Sequence, residues 1–376
     1  MRLSGIFVLF SALAALAQPR TAEFSAEKLR RVEAAVEAER VRQGVVGLTA
    51  AFASRGTTRW VGAFGKADLE NDVAVKPATV FRTGSLAKPM TAVAALQLWE
   101  RGRLDLDAPV QRYVPTFPEK QWGVSVRMLL GHIGGIRHYR GEELDSTRHY
   151  RDLVEPLRIF SGDALAHEPR TKYLYSSYGY NLAGAAVEAA AGVPFLDYLR
   201  ENVLAVARMD STREDNSREI VLNRTRWYSK AKDGHVINAH LADTSNKIPG
   251  GGLVTTAEDL LRFAAAWEQE RLLRPATMRI QTEKQRLLDG SRTGYGLGWN
   301  VSPVAGKNAV SHSGSQQGCK TILAMFPELK LTVTVLTNSD YAEPAKFVEV
   351  ILKALEGPPS SMSRVNGVRG VVTRPN

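Results

Sequence analysis

Cysteine is nearly absent from this chain: Cys319 is the only one in 376 residues. No intrachain disulfide can form, so the fold has to be held by its core. Cys319 itself reads as a small buried residue rather than a nucleophile. There is no His-Glu-x-x-His and no Cys/His cluster, and the seven histidines are dispersed, which argues against a metalloenzyme. Gly250-Gly251-Gly252 lacks the spacing and the following lysine of a phosphate-binding loop, and no pyridine-nucleotide glycine fingerprint occurs. No metal and no cofactor are therefore expected. Long apolar runs are missing beyond the N-terminus. Basic residues outnumber acidic ones, 49 to 39, for a net charge of +10. They are scattered, however, without a Lys/Arg run or aromatic–basic interleaving, so nucleic acid is not an expected partner. An anionic cell-wall or membrane surface is the natural partner for such charge, and a plain solvated basic face is the competing explanation.

What is present begins with a leader. Met1-Arg2 is a short basic start, Ile6 to Ala17 is apolar, and Ala15-Leu16-Ala17 precedes Gln18-Pro19. These are the three parts of a secretory signal peptide over residues 1–17, and they predict a secreted or periplasmic protein. The apolar run is short for a bilayer span; an uncleaved leader serving as an anchor is the alternative. Residues 357–376, rich in Pro, Ser, Gly and Arg, read as a disordered tail. The domain is then 18–356.

Within it, Ala26 to Arg42 carries apolar residues at helical spacing and stops at Gly44, which predicts an amphipathic helix. Val45 to Ala53 and Thr58 to Phe64 are β-prone runs around Ser54-Arg55-Gly56-Thr57, a hairpin. Ser85 to Arg101 reads as a buried central helix, with Pro89 tolerated in its first turn. Ser125 to Gly131, Tyr180 to Ala191 and Thr256 to Gln269 read as further helices, the last with Thr256 as N-cap and Asp259 in the first turn. Strand character returns at Ala309 to His312, Thr321 to Phe326 and Leu331 to Asn338, and Lys346 to Leu355 closes the chain as a helix. The expected fold class is α+β. Both chain ends build an antiparallel sheet, flanked by terminal helices (about 26–80 and 295–356). A mostly helical lobe (about 81–294) is inserted between them.

Three short motifs fall in order: Ser85-x-x-Lys88, Tyr175-Ser176-Ser177 and His312-Ser313-Gly314. Taken alone, Ser-x-x-Lys is common by chance, but on a helix its two side chains share a face, and a buried amine can act as base toward a serine. The ordered set resembles the serine β-lactamase and penicillin-binding-protein superfamily, closest to class C β-lactamases and DD-peptidases. The blocks FRTGSLAKPMTAVAALQLWERGRLDLDAPVQRYVP, MLLGHIGGIRHY, GGGLVTTAEDLLRF, YGLGW and VTVLTNSD extend the resemblance from about Ala26 to Glu356. GIRHY together with YLYSSYGYNLAG is most similar to the filament-forming mitochondrial β-lactamase-like peptidases and their bacterial relatives.

The resemblance implies a β-lactamase/transpeptidase-like fold and an acyl-enzyme mechanism. Ser85 would be acylated. Lys88 and Tyr175 would handle protons, with Lys88 supplying the positive charge that a phenol of pKa about 10 needs near neutral pH. Backbone N–H groups of Ser85 and Ser315 would form the oxyanion hole. Ser177, His312, Ser313 and Gly314 would contact a small-molecule or peptide substrate, with an anionic group held beside His312. Two positions depart from the family pattern: Ser177 stands for the usual Asn and His312 for the usual Lys, which weakens the case for β-lactam turnover. His132 and His138 read as structural, bracing the loop at Gly134-Gly135, and Tyr178 and Tyr180 as neighbours of the motif rather than members. The implied activity is an exported serine peptidase, amidase or esterase; a class C-type β-lactamase and a non-catalytic, filament-forming scaffold are the alternatives. The mechanism requires Lys88 Nζ and the Tyr175 hydroxyl within about 4 Å of Ser85 Oγ.

Overall fold

Ser25 starts the first helix, its hydroxyl accepting the Lys28 amide at 3.2 Å. The computed structural model describes residues 24–356, so the expected leader (1–17) and tail (357–376) lie outside the described residues. Helix α1 (Ala26–Gln43) buries Val32 and Val36 on one stripe and ends at Gly44, whose φ of 67° is a left-handed helix stop. The hairpin follows as β1 (Gly47–Ser54) and β2 (Thr57–Asp68), and β2 pairs onward with β3 (Val73–Ala74). Strand β4 (Phe81–Arg82) leads through a 3-10 turn, Gly84–Leu86, into α2 (Ala87–Glu100). Every residue of α2 from Ala87 to Leu98 is buried, which makes it the central helix of the lobe.

The lobe continues with α3 (Val126–Leu130) and α4 (Ser177–Ala191), which packs on α2 and α3. Short strands β5 (Arg213–Glu214), β6 (Tyr228–Lys230), β7 (Val236–Asn238) and β8 (Leu253–Thr255) precede α5 (Ala257–Glu268). Thr256 caps α5 as expected, accepting the Asp259 amide at 3.2 Å. The chain then returns to the main sheet with β9 (Asn300–Val301), β10 (Val310–Gln316), β11 (Cys319–Phe326) and β12 (Leu331–Thr337), and closes with α6 (Pro344–Glu356).

The main sheet runs β3-β2-β1-β12-β11-β10-β9, all antiparallel, so strands from the two chain ends meet at its centre, from Leu48 opposite Thr337 to Ser54 opposite Leu331. Alternating side chains of β1 serve two cores. Leu48, Ala50 and Phe52 join Val32, Val36, Phe347 and Ile351 under α1 and α6, while Ala51 and Ala53 face the lobe. Cys319 is buried as expected, and burial pushes its thiol up to about 12.

The antiparallel sheet, its terminal helices and the inserted lobe agree with the expected architecture. The lobe is less purely helical than expected: β4-β8-β5 form a small sheet and β6-β7 a hairpin. Strands of two or three residues are too short to produce a readable period. Two helix starts also differ. Ser85 lies in the 3-10 turn rather than in α2, and α4 begins at Ser177, not Tyr180.

A buried ion pair ties the small sheet to the main one. Arg82 Nε donates to Asp215 Oδ2 at 2.7 Å, with both side chains almost fully buried. Arg82 Nη1 also donates to Gln317 O at 3.0 Å beyond β10, and the guanidinium lies 4.5 Å from the Trp227 ring centre. Removing Arg82 leaves the buried Asp215 carboxylate with only Arg224, 3.4 Å away, to offset its charge. Arg82→Met is therefore expected to lower unfolding free energy by about 3–5 kcal/mol, read by urea titration. Arg82→Met/Asp215→Leu should recover much of that loss; no recovery in the double variant would mean that the pair is not the unit that matters.

Candidate active site

The nucleophile turn is suspended between the two sheets. Thr83 donates its amide and its hydroxyl to Leu253 O on β8, at 2.9 and 3.0 Å, while Thr83 O accepts the Thr321 hydroxyl of β11 at 2.8 Å. Gly84 follows with φ of +50°, and a Cβ there would come within 2.8 Å of Ser315 N. A Cβ on Gly314 would meet Thr83 O at 2.2 Å and Ser85 N at 3.2 Å. Only glycine at both positions lets the turn and β10 lie this close. The closeness sets the Ser315 amide against Gly84 and the Ser85 amide against Gly314.

Lys88 stands at the start of α2, fully buried. Its Nζ lies 3.0 Å from Ser85 Oγ, 3.0 Å from Ser177 Oγ and 2.7 Å from Gly250 O. Burial drives its pKa well below that of free lysine, toward the neutral amine. A neutral amine has two N–H donors and one lone pair. The Gly250 carbonyl must accept, Ser177 Oγ can accept the second donor, and the lone pair is left for the Ser85 proton. That is the arrangement of a base addressing a nucleophile.

Tyr175 lies beside this pair: Lys88 Nζ is 4.9 Å from its ring centre, and its phenol lies near Ser85. Burial raises the Tyr175 pKa, and the Ser85 contact only partly offsets this. The expectation that Lys88 would supply charge to acidify Tyr175 is thus corrected. The same burial pushes the amine toward its neutral form and the phenol toward its protonated form, the directions that suit Lys88 to accept a proton and Tyr175 to donate one.

The third motif is also placed differently from the expectation. On β10, His312 turns inward and is 3% exposed, while Ser313 and Ser315 face solvent and Gly314 packs on the nucleophile turn. His312 Nδ1 lies 2.7 Å from Ser313 O, so it carries the proton, and Nε2 accepts the Tyr295 hydroxyl at 2.8 Å. Burial, with Lys88 nearby, lowers its pKa to about 3. A neutral, enclosed imidazole cannot hold an anionic substrate group; instead it stands behind Tyr175, 6.3 Å between ring centres. Ser177 is likewise not open to substrate. It is buried against Lys88, with Tyr139 nearby.

Several participants were not singled out from the sequence. Gly250 O, Tyr295 and Tyr139 lie within blocks that carry the family resemblance, yet a backbone carbonyl or one tyrosine among eleven has no sequence signature of its own. His132 and His138 do brace backbone, but that of Ser176 and Ser177, whose amides donate to their Nδ1 atoms at 3.1 and 3.2 Å. The loops around 215–227 and 238–243 form a groove of about 820 Å³ that reaches Arg82 but not Ser85. Among the described residues, no group of three or more His, Cys, Asp or Glu is disposed to hold a metal.

Because His138 and His312 titrate at about 4 and about 3 when folded, against about 6.5 when free, the unfolded chain takes up protons first. Stability is therefore fully present above about pH 6.5 and falls as the pH drops toward 4. Urea midpoints at pH 7, 6 and 5 should decrease in that order; a flat series would show that these rings are not held neutral.

Comparison with known proteins bears on the family and the fold. The family model described as Beta-lactamase matches residues 30–356. The human mitochondrial serine beta-lactamase-like protein LACTB is 29% identical, over 84% of this chain and 74% of its own length. Penicillin-binding protein 4* of Bacillus subtilis is 30% identical, over 78% and 68%. Among solved structures, D-amino acid amidase from Ochrobactrum anthropi SV3 superposes with a TM-score of 0.76 at 22% identity, covering 88% of this chain and 99% of that one. A fold, an ordered motif set and a family match over nearly all the described residues converge: the chain belongs to the β-lactamase family of serine hydrolases, the superfamily that includes the penicillin-binding proteins.

Proposed function

We propose that this protein is an exported peptidase, amidase or esterase that works through an acyl-enzyme on Ser85. The observation that carries the reading is the buried Lys88 amine, 3.0 Å from Ser85 Oγ. Lys88 takes the Ser85 proton as Oγ attacks the substrate carbonyl, and the Ser85 and Ser315 amides donate to the resulting oxyanion. As the intermediate collapses, Tyr175 protonates the leaving group and recovers a proton from the Lys88 ammonium. Water then attacks the ester with the same pair in reverse, releasing the acid and free Ser85.

Neutral acyl donors suit this site better than β-lactams, since neither Ser177 nor His312 offers a charged or reaching contact. β-Lactam turnover is the second reading, favoured by the family match. Export rests on the leader pattern at 1–17, with 18–356 as the mature domain and 357–376 as a tail. The net charge of +10 supports association with an anionic wall or membrane surface.

A fluorophosphonate probe is expected to label the wild type and not Ser85→Ala. Lys88→Ala should slow labelling by about 10²–10⁴-fold, the usual contribution of a general base. The wild-type labelling rate should rise with pH as Lys88 loses its proton and level off well below the 10.5 of free lysine. A rate still climbing at pH 10 would remove Lys88 from the role of base. Across D-Ala-D-Ala peptides, L-peptides, short-chain esters and a chromogenic cephalosporin, the cephalosporin should turn over slowest; rapid cephalosporin turnover would reverse the preference.

A further inference from the structure

Two imidazoles at the site remain without a chemical role. His132 accepts the Ser176 amide and His138 the Ser177 amide, both through Nδ1. These amides belong to the N-cap and first residue of α4, among the donors that every helix start leaves without an internal carbonyl. A further one, Gly179 N, donates to Ser176 Oγ at 2.9 Å, and that hydroxyl donates to Arg137 O at 2.7 Å. The end of α4 that presents Tyr175 and Ser177 is thus closed by two rings and a hydroxyl. The rings also touch Tyr175 itself, with centres 4.3 Å away for His132 and 5.6 Å for His138.

We propose that His132 and His138 are positioning residues for acid–base chemistry at Ser85: as neutral Nδ1 acceptors they jointly cap α4 and hold the Tyr175 ring and the Ser177 hydroxyl against Lys88. Protonating either ring would set an N–H against a backbone N–H and add positive charge at the positive end of the helix. The surroundings oppose that. His132 faces Lys88, His138 and His312, with the rings of Tyr173, Tyr175, Tyr180 and Tyr295 around it. His138 faces Lys88 and Lys247, with the rings of Tyr139 and Tyr175. Burial acts in the same direction, lowering His132 well below the ordinary range and His138 to about 4. With Nδ1 accepting, the His132 proton sits on Nε2, which is buried without a hydrogen-bond partner and enclosed by the tyrosine rings.

The kinetic consequence rests on the proposed acylation of Ser85, whereas the state of the rings can be read without it. Two measurements on the full chain test the assignment. In ¹⁵N-histidine NMR, both rings should remain neutral Nε2–H tautomers from pH 8 to pH 5.5. In fluorophosphonate labelling, His132→Asn and His138→Asn place an acceptor oxygen near the lost Nδ1, whereas His132→Phe and His138→Phe keep a ring without one. The Asn variants should label within about threefold of wild type. The Phe variants should label about 100-fold more slowly at unchanged probe affinity, the scale of loss from a displaced catalytic group. Either ring titrating above pH 6, or a folded Phe variant labelling at the wild-type rate, overturns the proposal. If a Phe variant does not fold, the Asn variants decide, and a 100-fold loss in both also overturns it. Failure of the wild type to label would sink the acyl-enzyme reading, while the NMR result still decides the state of the rings.

Discussion

The structure turns on one buried amine. A lysine taken fully out of water avoids the cost of an isolated buried charge by losing its proton, and the neutral form is the one that can accept from a serine. Much of the lobe serves to enclose that amine. Helix α2 is buried on all sides, α4 delivers Ser177 Oγ, and the turn after Pro249 delivers a carbonyl, so the two N–H groups are satisfied and the lone pair is left for Ser85. The usual trade between stability and reactivity is visible here, since an apolar residue would fill this place without a desolvation cost but could not carry a proton.

The same environment sets the state of its neighbours. Burial pushes the tyrosines up and the histidines down, so the site is a cluster of neutral groups around one proton-carrying centre. Hydrogen bonds, rather than ion pairs, fix the orientation of each member. The charged contacts lie outside this layer. Arg82 with Asp215 anchors the nucleophile turn, and Arg137 with Glu143 and Asp163 steadies the loop that carries His138.

Most of the architecture was legible in the sequence because it depends on period and punctuation. Val32 and Val36 before Gly44, the hairpin around Arg55-Gly56, and Thr256 ahead of Asp259 each announce an element through local chemistry. The three motifs placed Ser85, Lys88 and Tyr175 together because their spacing belongs to a known fold. What the sequence did not disclose is direction and environment. Nothing in His312-Ser313-Gly314 says that the histidine turns inward to Tyr295, or that Ser177 serves Lys88 before any substrate. The short strands β4, β5 and β8 were unreadable for a related reason, since they are held by partners about 40 to more than 170 residues away rather than by their own period.

The meeting of β1 with β12 at the centre of the sheet has a consequence in time. Strand β1 pairs with β2 through a hairpin but cannot meet β12 until Leu331–Thr337 has been made, and pairings between such distant segments form late and slowly. The nucleophile turn hangs from Thr321 on β11 and is closed by Gly314 on β10, both in the last fifth of the described residues. A nascent or truncated chain ending before β10 therefore has Ser85, Lys88 and the β8 anchor of Thr83, but neither the Thr321 hydrogen bond nor the Gly314 contact that closes the turn. The contacts that close the turn around Ser85 thus arrive with the last strands.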